Sequence, residues 1–213
     1  MRMTKLGHSC VRLEKDGQAI VLDPGIWSGP GLLAGANAVL ITHEHADHLD
    51  PAVVRAALDR DPALQLWTNA AVAAQFGGLG DRVHAVGDGD AFTAAGFEIR
   101  VHGSDHALIH PDVPVVPNIG FAVDGTVFHP GDSFTLPGEP VEALLLPISA
   151  PWLRAAEMFD YARAVQPRMS YAIHDEVLSA NGIALIGQLA ARLLGAPGEG
   201  GYLRLEPGTS VEL

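Results

Sequence analysis

The residues with the clearest chemical potential form one short segment, His-Glu-His-Ala-Asp-His at residues 43–48. On a loop, the imidazoles of His43 and His45 can turn towards one point, while Asp47 and His48 can face a second point nearby. Neutral imidazole and carboxylate suit Zn²⁺, Mn²⁺ or Fe²⁺, and the segment has no thiolate to bias the choice. A packed surface loop rarely places three histidines and an aspartate together, so the segment predicts a metal site.

The elements around this segment must hold it at the end of a buried strand. Residues 38–42, Ala-Val-Leu-Ile-Thr, form a run that is short enough and apolar enough for such a strand. After the segment, Asp50 and Pro51 supply an N-cap and a first-turn proline for a helix from Ala52 to about Leu58. The sequence thus predicts a strand-loop-helix unit that carries the metal-binding side chains on its loop.

The rest of the chain contains paired strands, which then alternate with helices. Further strands are predicted at Cys10–Glu14, Gln18–Leu22, Leu64–Thr68, Val83–Val86, Phe97–His102, Ile119–Val123, Thr126–His129, Leu144–Ile148, Met169–Ile173 and, at an edge, Tyr202–Leu205. Helices are predicted at Asn69–Phe76, Ala155–Val165 and Ile183–Leu194. Residues 103–118 are predicted to form an ordered loop over the site. We therefore expect one α/β domain over residues 1–213.

Composition excludes several classes of protein. The chain has 13 basic and 25 acidic residues and a formal net charge of −12, which argues against a nucleic-acid or anionic-membrane partner. Cys10 is the single cysteine, so neither an intrachain disulfide nor a cysteine-rich zinc site can form. The first residues lack the apolar core of a signal peptide, and no apolar run is long enough to span a membrane. We therefore expect a cytoplasmic protein.

Seven segments in a fixed order carry a family resemblance: LGHSCVRLE (6–14), LDPG (22–25), THEHADH (42–48), DHALIHPD (105–112), NIGFAVDG (118–125), HPGDS (129–133) and IHD (173–175). In these segments the chain resembles the metallo-β-lactamase-fold hydrolases. It is most similar to the branch that includes the ascorbate-6-phosphate lactonase and uncharacterised metal-dependent hydrolases. The HxHxDH pattern at residues 43–48 is the most specific of the matches.

The resemblance implies an αββα four-layer sandwich with two divalent ions where strands of both sheets end. The family's ligands match His43, His45 and a third histidine for one ion, Asp47, His48 and His174 for the other, and Asp132 as the bridge. Zn²⁺ is the expected ion, with Mn²⁺ or Fe²⁺ as alternatives. Asp132 and His174 each come just after a predicted strand, as the first segment does, so convergence on one edge is geometrically reasonable.

The third histidine of the first ion has three candidates. His106, in Ser-Asp-His-Ala, best matches the pattern of the family. His102 is expected to end its strand pointing into the fold. His110 is expected to contact the substrate or a ligand, the alternative being a loop histidine that bonds only to backbone.

Five further residues are expected near the ligands or the substrate rather than on the ions. The family uses an aspartate such as Asp23 to support the histidine loop, although a simple Asp-Pro turn is the alternative. His8 could face the site or bond to backbone. His129 and Asp175 are expected beside the ligands, Asp175 as the group that orients a ligand imidazole. Trp152 is either a wall of the substrate pocket or a packing aromatic.

The implied reaction is hydrolysis of a small ester, lactone or phosphoester by a hydroxide that bridges the two ions, with Asp47 orienting the nucleophile and moving its proton. A mononuclear iron oxidoreductase resembling persulfide dioxygenases and a non-catalytic metal-binding protein are the alternatives, and the complete ligand set disfavours both. We expect a small-molecule substrate and no nucleic-acid or membrane partner, and the sequence leaves a homo-oligomer open. Lys5 and Lys15 are the only lysines, so charge does not support a phosphorylated substrate.

Overall fold

Two seven-stranded sheets form the centre of the structure, a computed structural model that describes residues 1–195 and 201–213. The strands are β1 Arg2–Lys5, β2 Val11–Lys15, β3 Gln18–Leu22, β4 Ala38–Ile41, β5 Gln65–Thr68, β6 Val83–Ala85, β7 Ala91–Ala94, β8 Phe97–His102, β9 Gly120–Val123, β10 Val127–His129, β11 Ala143–Pro147, β12 Met169–Ile173, β13 Gly201–Leu203 and β14 Ser210–Glu212. The helices are α1 Pro51–Arg60, α2 Ala70–Ala74, α3 Ala155–Val165 and α4 Ala180–Leu193, with a 3₁₀ turn at Gly80–Arg82. None of these helices combines the length and the apolar character that a membrane span requires.

The strand order is β14-β1-β2-β3-β4-β5-β6 in the first sheet and β13-β12-β11-β10-β9-β8-β7 in the second. Both sheets are mixed, with antiparallel hairpins on one side and parallel strands on the other: β3, β4, β5 and β6 are parallel in the first sheet, and β10, β11, β12 and β13 in the second. Parallel strands end at the same edge of a sheet. The loop after β4 therefore leaves one edge of the first sheet, and the loops after β10 and β12 leave one edge of the second. Side-chain atoms from the two edges lie within 4.8 Å of one another.

Burial patterns show why the sheets stack between helices. Along β8, Phe97, Ile99 and Val101 are buried, while Glu98 and Arg100 are exposed, the alternation of a strand with one face in the core. All four residues of β4 are buried, because one face contacts the other sheet and the other lies under helices. Separate apolar clusters fill the space between the sheets, the space under α1 and α2, and the space under α3 and α4. The predicted αββα four-layer sandwich is confirmed.

Three strands were not predicted from the sequence: β1, β7 and β14. The pair formed by β1 and β14 joins residues about two hundred positions apart, with Met3 opposite Val211. Strands of three or four residues are too short to show an alternating pattern in the sequence, and their distant partner cannot be seen there. Helix ends also differ, because α1 continues to Arg60 and α4 begins at Ala180 with Ser179 as its N-cap. None of these differences moves the strand ends that carry the predicted ligands.

Candidate metal centre

Metal-binding side chains from both sheets converge at this shared edge. Their ligand atoms form three overlapping groups, each within 4.8 Å: His43, His45 and His106; His8, Asp47, His48 and His174; and His43, His48 and Asp132. The groups contain every residue for which the sequence predicted a metal-binding role. They also contain His8, for which two orientations were open.

The histidine loop is held by Asp23, at the end of β3. Asp23 is fully buried, and its carboxylate accepts hydrogen bonds from the Thr42 backbone N–H at 2.8 Å and the Thr42 hydroxyl at 2.7 Å. The same carboxylate lies 2.6 Å from His48 Nδ1. Next to it, a Cβ on Gly25 would lie 1.9 Å from the Asp47 carbonyl oxygen, so only glycine permits this close approach of the two loops. Asp23 thus has the supporting position that the resemblance implied.

Asp132 is positioned by a tight turn after β10 and by Asn118. The Asn118 side chain accepts a hydrogen bond from the Asp132 N–H at 3.0 Å and donates one to the Pro130 carbonyl at 2.9 Å. Gly131 has φ +63°, and a Cβ there would lie 2.2 Å from Asn118 Oδ1. Trp152 Nε1 donates to Asp132 Oδ2 at 3.1 Å. Asn118 was not predicted as a site residue, although its place in the NIGFAVDG segment was a usable signal.

The Asp132 carboxylate lies close to three of the predicted ligand histidines. Its Oδ1 is 3.0 Å from His48 Nε2, and its Oδ2 is 3.1 Å from His174 Nε2 and 3.4 Å from His106 Nε2. Asp47 Oδ2 is 3.2 Å from the same His174 Nε2. Oδ2 thus lies beside His106 as well as His174, so this carboxylate would be shared by ions that these histidines hold.

The hydrogen bonds at Nδ1 determine which nitrogen each ring presents to the centre. Three rings face an oxygen that can accept Nδ1–H: His48 faces Asp23 at 2.6 Å, His106 faces the Ala107 carbonyl at 2.6 Å, and His174 faces the Ser149 carbonyl. His43 Nδ1 donates to Thr42 Oγ1 at 3.0 Å, since that hydroxyl itself donates to Asp23. All four rings therefore direct an Nε2 lone pair at the centre, as metal ligands do.

The unpartnered atoms of the centre fit this arrangement. The Nε2 atoms of His43, His106 and His174 are buried and have no hydrogen-bond partner among the residues that the structure describes. Buried polar atoms in proteins nearly always have a partner, so a group of orphaned acceptors indicates that a cation belongs there. The residues present therefore fit divalent metal ions.

Charge in the centre supports the same conclusion. Burial alone would raise the pKa of Asp132, but His48, His106 and His174 hold it well below its usual range. Burial alone would lower the pKa of His174, but Asp132 and Asp47 raise it to about 9. An imidazole lone pair and a carboxylate oxygen repel at these distances unless a proton or a metal ion lies between them. Divalent ions would take the place of those protons.

His129 and His8 have the opposite hydrogen-bond pattern. Nδ1 of the buried His129 accepts from the Gly131 N–H at 3.1 Å, and its Nε2 donates to the Ser9 carbonyl at 3.0 Å. With both nitrogens engaged, His129 supports the Asp132 turn from beside the ligands. His8 is also fully buried and accepts a hydrogen bond from the Glu176 N–H at Nδ1, 3.2 Å away. It both bonds to backbone and faces the site, where its Nε2 is 3.4 Å from Asp47 Oδ2.

Three other residues lie away from the centre. His110 has a side chain 62% exposed, and its Nδ1 accepts from the Asp112 N–H at 3.1 Å, so it is a loop histidine bonded to backbone. His102 packs edge-on to Phe128, outside the groups of ligand atoms. The expected role of Asp175 needs correction, because its carboxylate contacts two cations instead of an imidazole.

The partners of Asp175 are Lys5 Nζ at 2.5 Å and Arg204 Nε at 2.6 Å. Asp175 and Lys5 are both buried, and a buried carboxylate needs a cationic partner to stay charged. The side chain therefore points away from the ligands, although Asp175 directly follows His174 in the chain.

Aromatic side chains border the centre on two sides. The Trp27 ring packs edge-on against His8 with centroids 4.9 Å apart, and the Trp152 ring lies 6.1 Å from His106. Trp152 also lines a cleft of about 360 Å³ together with Leu108, Ile109, Pro151, Leu153, Arg154 and Glu157. The indole of Trp152 is thus a wall of this cleft and a hydrogen-bond donor to Asp132.

The chain is similar to known proteins over most of its length. The family described as "Beta-lactamase superfamily domain" matches residues 2–174. Protein Rv0786c of Mycobacterium tuberculosis is 38% identical over 185 residues, which are 84% of this chain and 86% of that protein. The UPF0173 metal-dependent hydrolase MK1542 of Methanopyrus kandleri is 28% identical over 194 residues, which are 82% of this chain and 84% of that protein.

A solved structure with a similar fold belongs to a protein described as a hydroxylase. CmlA, a diiron β-hydroxylase from Streptomyces venezuelae, superposes with a TM-score of 0.71 at 16% identity. The match covers 100% of this chain and 54% of that chain. At this identity the likeness concerns the fold, so the reaction must be argued from the side chains of the site.

Proposed function

The chain belongs to the β-lactamase superfamily. From this premise we propose that it is a metal-dependent hydrolase in which two divalent ions, with Zn²⁺ as the expected ion, act together on a small ester, lactone or phosphoester. The observation that carries the proposal is the position of Asp132 between two sets of histidines. One set is His43, His45 and His106, and the other is His48 and His174 with the Asp47 carboxylate. A single ion would leave one of these sets without a partner.

The residues of the centre have separate tasks in this proposal. When bound, the ions would supply a water with its pKa lowered towards about 7 and would stabilise negative charge on the substrate oxygen. Asp132 holds the ligand sets together, while Asp23, Thr42 and Asn118 fix the loops that carry them. The Asp47 side chain is 19% exposed, more than that of Asp132, which suits the expected task of orienting the attacking water.

Charge around the centre favours an uncharged ester or lactone over a phosphoester. Lys5 is buried against Asp175, and Lys15 is paired with Asp124 at 2.6 Å. The cleft beside Trp152 has one arginine, Arg154, whose guanidinium lies 3.4 Å from Glu157. A phosphate group is usually bound by several cationic donors, and these contacts leave few cations for that role.

The experiment is elemental analysis of protein purified without chelator, paired with a panel of lactone, phosphodiester and thioester substrates. We expect about two divalent ions per chain, loss of hydrolysis on chelation, and recovery when Zn²⁺ is returned. One iron per chain without a second metal would overturn the proposal and support an oxidoreductase. A full metal load without hydrolysis of any substrate in the panel would also contradict it.

A matched pair of variants tests the assignment of the site in the same experiment. His43→Ala removes a predicted ligand and should lower the metal content. His84→Ala removes a histidine whose Nε2 contacts Gln65 at 2.9 Å, away from the centre, and should leave the metal content unchanged.

A further inference from the structure

His8 is a buried histidine of the centre that the proposed metal roles do not use. It lies in the connection between β1 and β2, and its carbonyl accepts a hydrogen bond from the His174 N–H at 2.9 Å. Its ring packs against the ring of Trp27 and, at a centroid distance of 4.0 Å, against that of His174. Backbone and ring are thus both fixed before any substrate binds.

The hydrogen bond from Glu176 determines the tautomer of His8. A backbone N–H can only donate, so His8 Nδ1 accepts at 3.2 Å and the neutral ring carries its proton on Nε2. His48 and His174 are in the other tautomer, since their Nδ1 atoms face a carboxylate and a carbonyl oxygen. To bind a metal through Nε2 while accepting at Nδ1, His8 would have to lose its last ring proton. His8 is therefore a hydrogen-bond donor in a group of ligands.

This donor has no partner in the part of the chain that the structure describes. His8 Nε2 is buried and lacks a hydrogen bond, and the nearest carboxylate oxygen, Asp47 Oδ2, lies 3.4 Å away, beyond the usual range. A buried N–H without an acceptor costs stability, and such groups persist in native proteins where a ligand or the reaction uses them. Ligand atoms of Asp47, His48 and His174 lie within 4.8 Å of the His8 ring nitrogen, and Nε2 is the nitrogen that lies near Asp47.

We propose that His8 Nε2–H donates a hydrogen bond to the substrate oxygen that gains negative charge during hydrolysis, on the side of the centre formed by Asp47, His48 and His174. This inference rests on the proposed function, and it names His8 as a catalytic residue of that reaction. His8 stays neutral throughout, because it gives a hydrogen bond and transfers no proton. A fixed donor in a water-poor site stabilises such an oxygen more strongly than water does.

Two substitutions separate the N–H from the rest of the ring. In His8→Asn, the amide oxygen can still accept from the Glu176 N–H, but no atom reaches the position of Nε2. In His8→Gln, the longer side chain returns an N–H donor to that position. We expect His8→Asn to lower kcat/KM by about 10²–10³-fold, with most of the activity recovered in His8→Gln. Both variants should keep the wild-type metal content, as should His84→Asn, the matched change outside the centre.

Two further measurements do not depend on turnover. Nitrogen-15 spectra of the zinc-loaded protein should show His8 protonated at Nε2 and unprotonated at Nδ1. Inorganic phosphate, a tetrahedral oxyanion, should bind the zinc-loaded His8→Asn variant at least tenfold more weakly than wild type, with recovery in His8→Gln (the tenfold change corresponds to about 1.4 kcal/mol). If the wild type hydrolyses nothing but the spectra and the phosphate affinities behave in this way, the hydrolase proposal fails and His8 remains an oxyanion donor.

Three results would overturn the inference. Loss of a metal ion in His8→Asn would make His8 a ligand. A neutral ring with its proton on Nδ1 and none on Nε2 would remove the donor from the site. Wild-type phosphate affinity in His8→Asn, together with unchanged kcat/KM where the wild type is active, would leave the N–H without a role.

Discussion

Replacing Asp23 with asparagine should weaken metal binding, because it forces His48 into the tautomer that has no lone pair on Nε2. The Asp23 carboxylate accepts from the Thr42 N–H, from the Thr42 hydroxyl and from His48 Nδ1–H. In Asp23→Asn, the amide oxygen can keep the bond to the Thr42 N–H. The amide NH₂ then faces His48 Nδ1, and two donors cannot share a 2.6 Å contact. His48 must move its proton to Nε2, where the lone pair for the metal was.

The hydrogen bonds of Asp23 determine how much metal affinity and turnover should be lost. Supporting hydrogen bonds to ligand histidines are worth about 10–100-fold in metal affinity, and the forced tautomer places this variant at the upper end. An aspartate-to-asparagine change that imposes the wrong histidine tautomer costs about 10⁴-fold in kcat in serine proteases. We therefore expect turnover of Asp23→Asn to fall by about 10²–10⁴-fold. Two of the three hydrogen bonds lose their charged acceptor and must reverse direction, which should also lower the free energy of unfolding by about 3 kcal/mol.

The assay is competitive titration of Zn²⁺ against a chelator, with turnover and chemical denaturation measured on the same preparations. Asp175→Asn is the matched control, because Asp175 is equally buried and charged but contacts Lys5 and Arg204. This control should lose stability and keep most of its metal affinity. Wild-type metal affinity in Asp23→Asn would refute the tautomer argument. An equal loss of affinity in both variants would attribute the effect to general destabilisation.

Three other predictions concern the ligands directly. Asp132→Asn should lower turnover by well over tenfold with the fold intact by circular dichroism, since an amide cannot bridge two ions by charge; wild-type activity with a full metal load would exclude the bridge. His106→Ala should weaken metal retention by more than about 100-fold, whereas His110→Ala should keep both ions, and the reverse result under one chelator challenge would exchange the two assignments. In chelated protein, the raised pKa of His174, about 9, adds stability that is complete below the unfolded value of about 6.5 and is lost as the pH rises through about 9. Thermal melts across that window should therefore show a falling Tm, and a profile that does not fall would contradict this reasoning.

The sequence by itself determined the class of site and the architecture around it. The HxHxDH segment can be recognised because both its ligand chemistry and its place after an apolar strand are local properties. The order of strands and helices followed from periodicity, because buried faces repeat at two residues in strands and at about 3.6 in helices. Periodicity did not predict the short strands β1, β7 and β14, because three or four residues are too few to show a repeat of two. These strands are identified by the partners that they pair with in the folded sheets.

The tertiary structure decided how each imidazole is used. His102, His106 and His110 all offer an imidazole as a ligand. The course of the loop 103–118 brings His106, and not the other two, to His43 and His45. The tautomer of His8 depends on the Glu176 N–H, which lies 168 positions away in the chain. Asp175 follows His174 directly, yet the buried Lys5 attracts its carboxylate away from the ligands. A side chain's residue type is local, but the partner that sets its proton, charge and direction comes from distant segments, so only the folded chain determines its role.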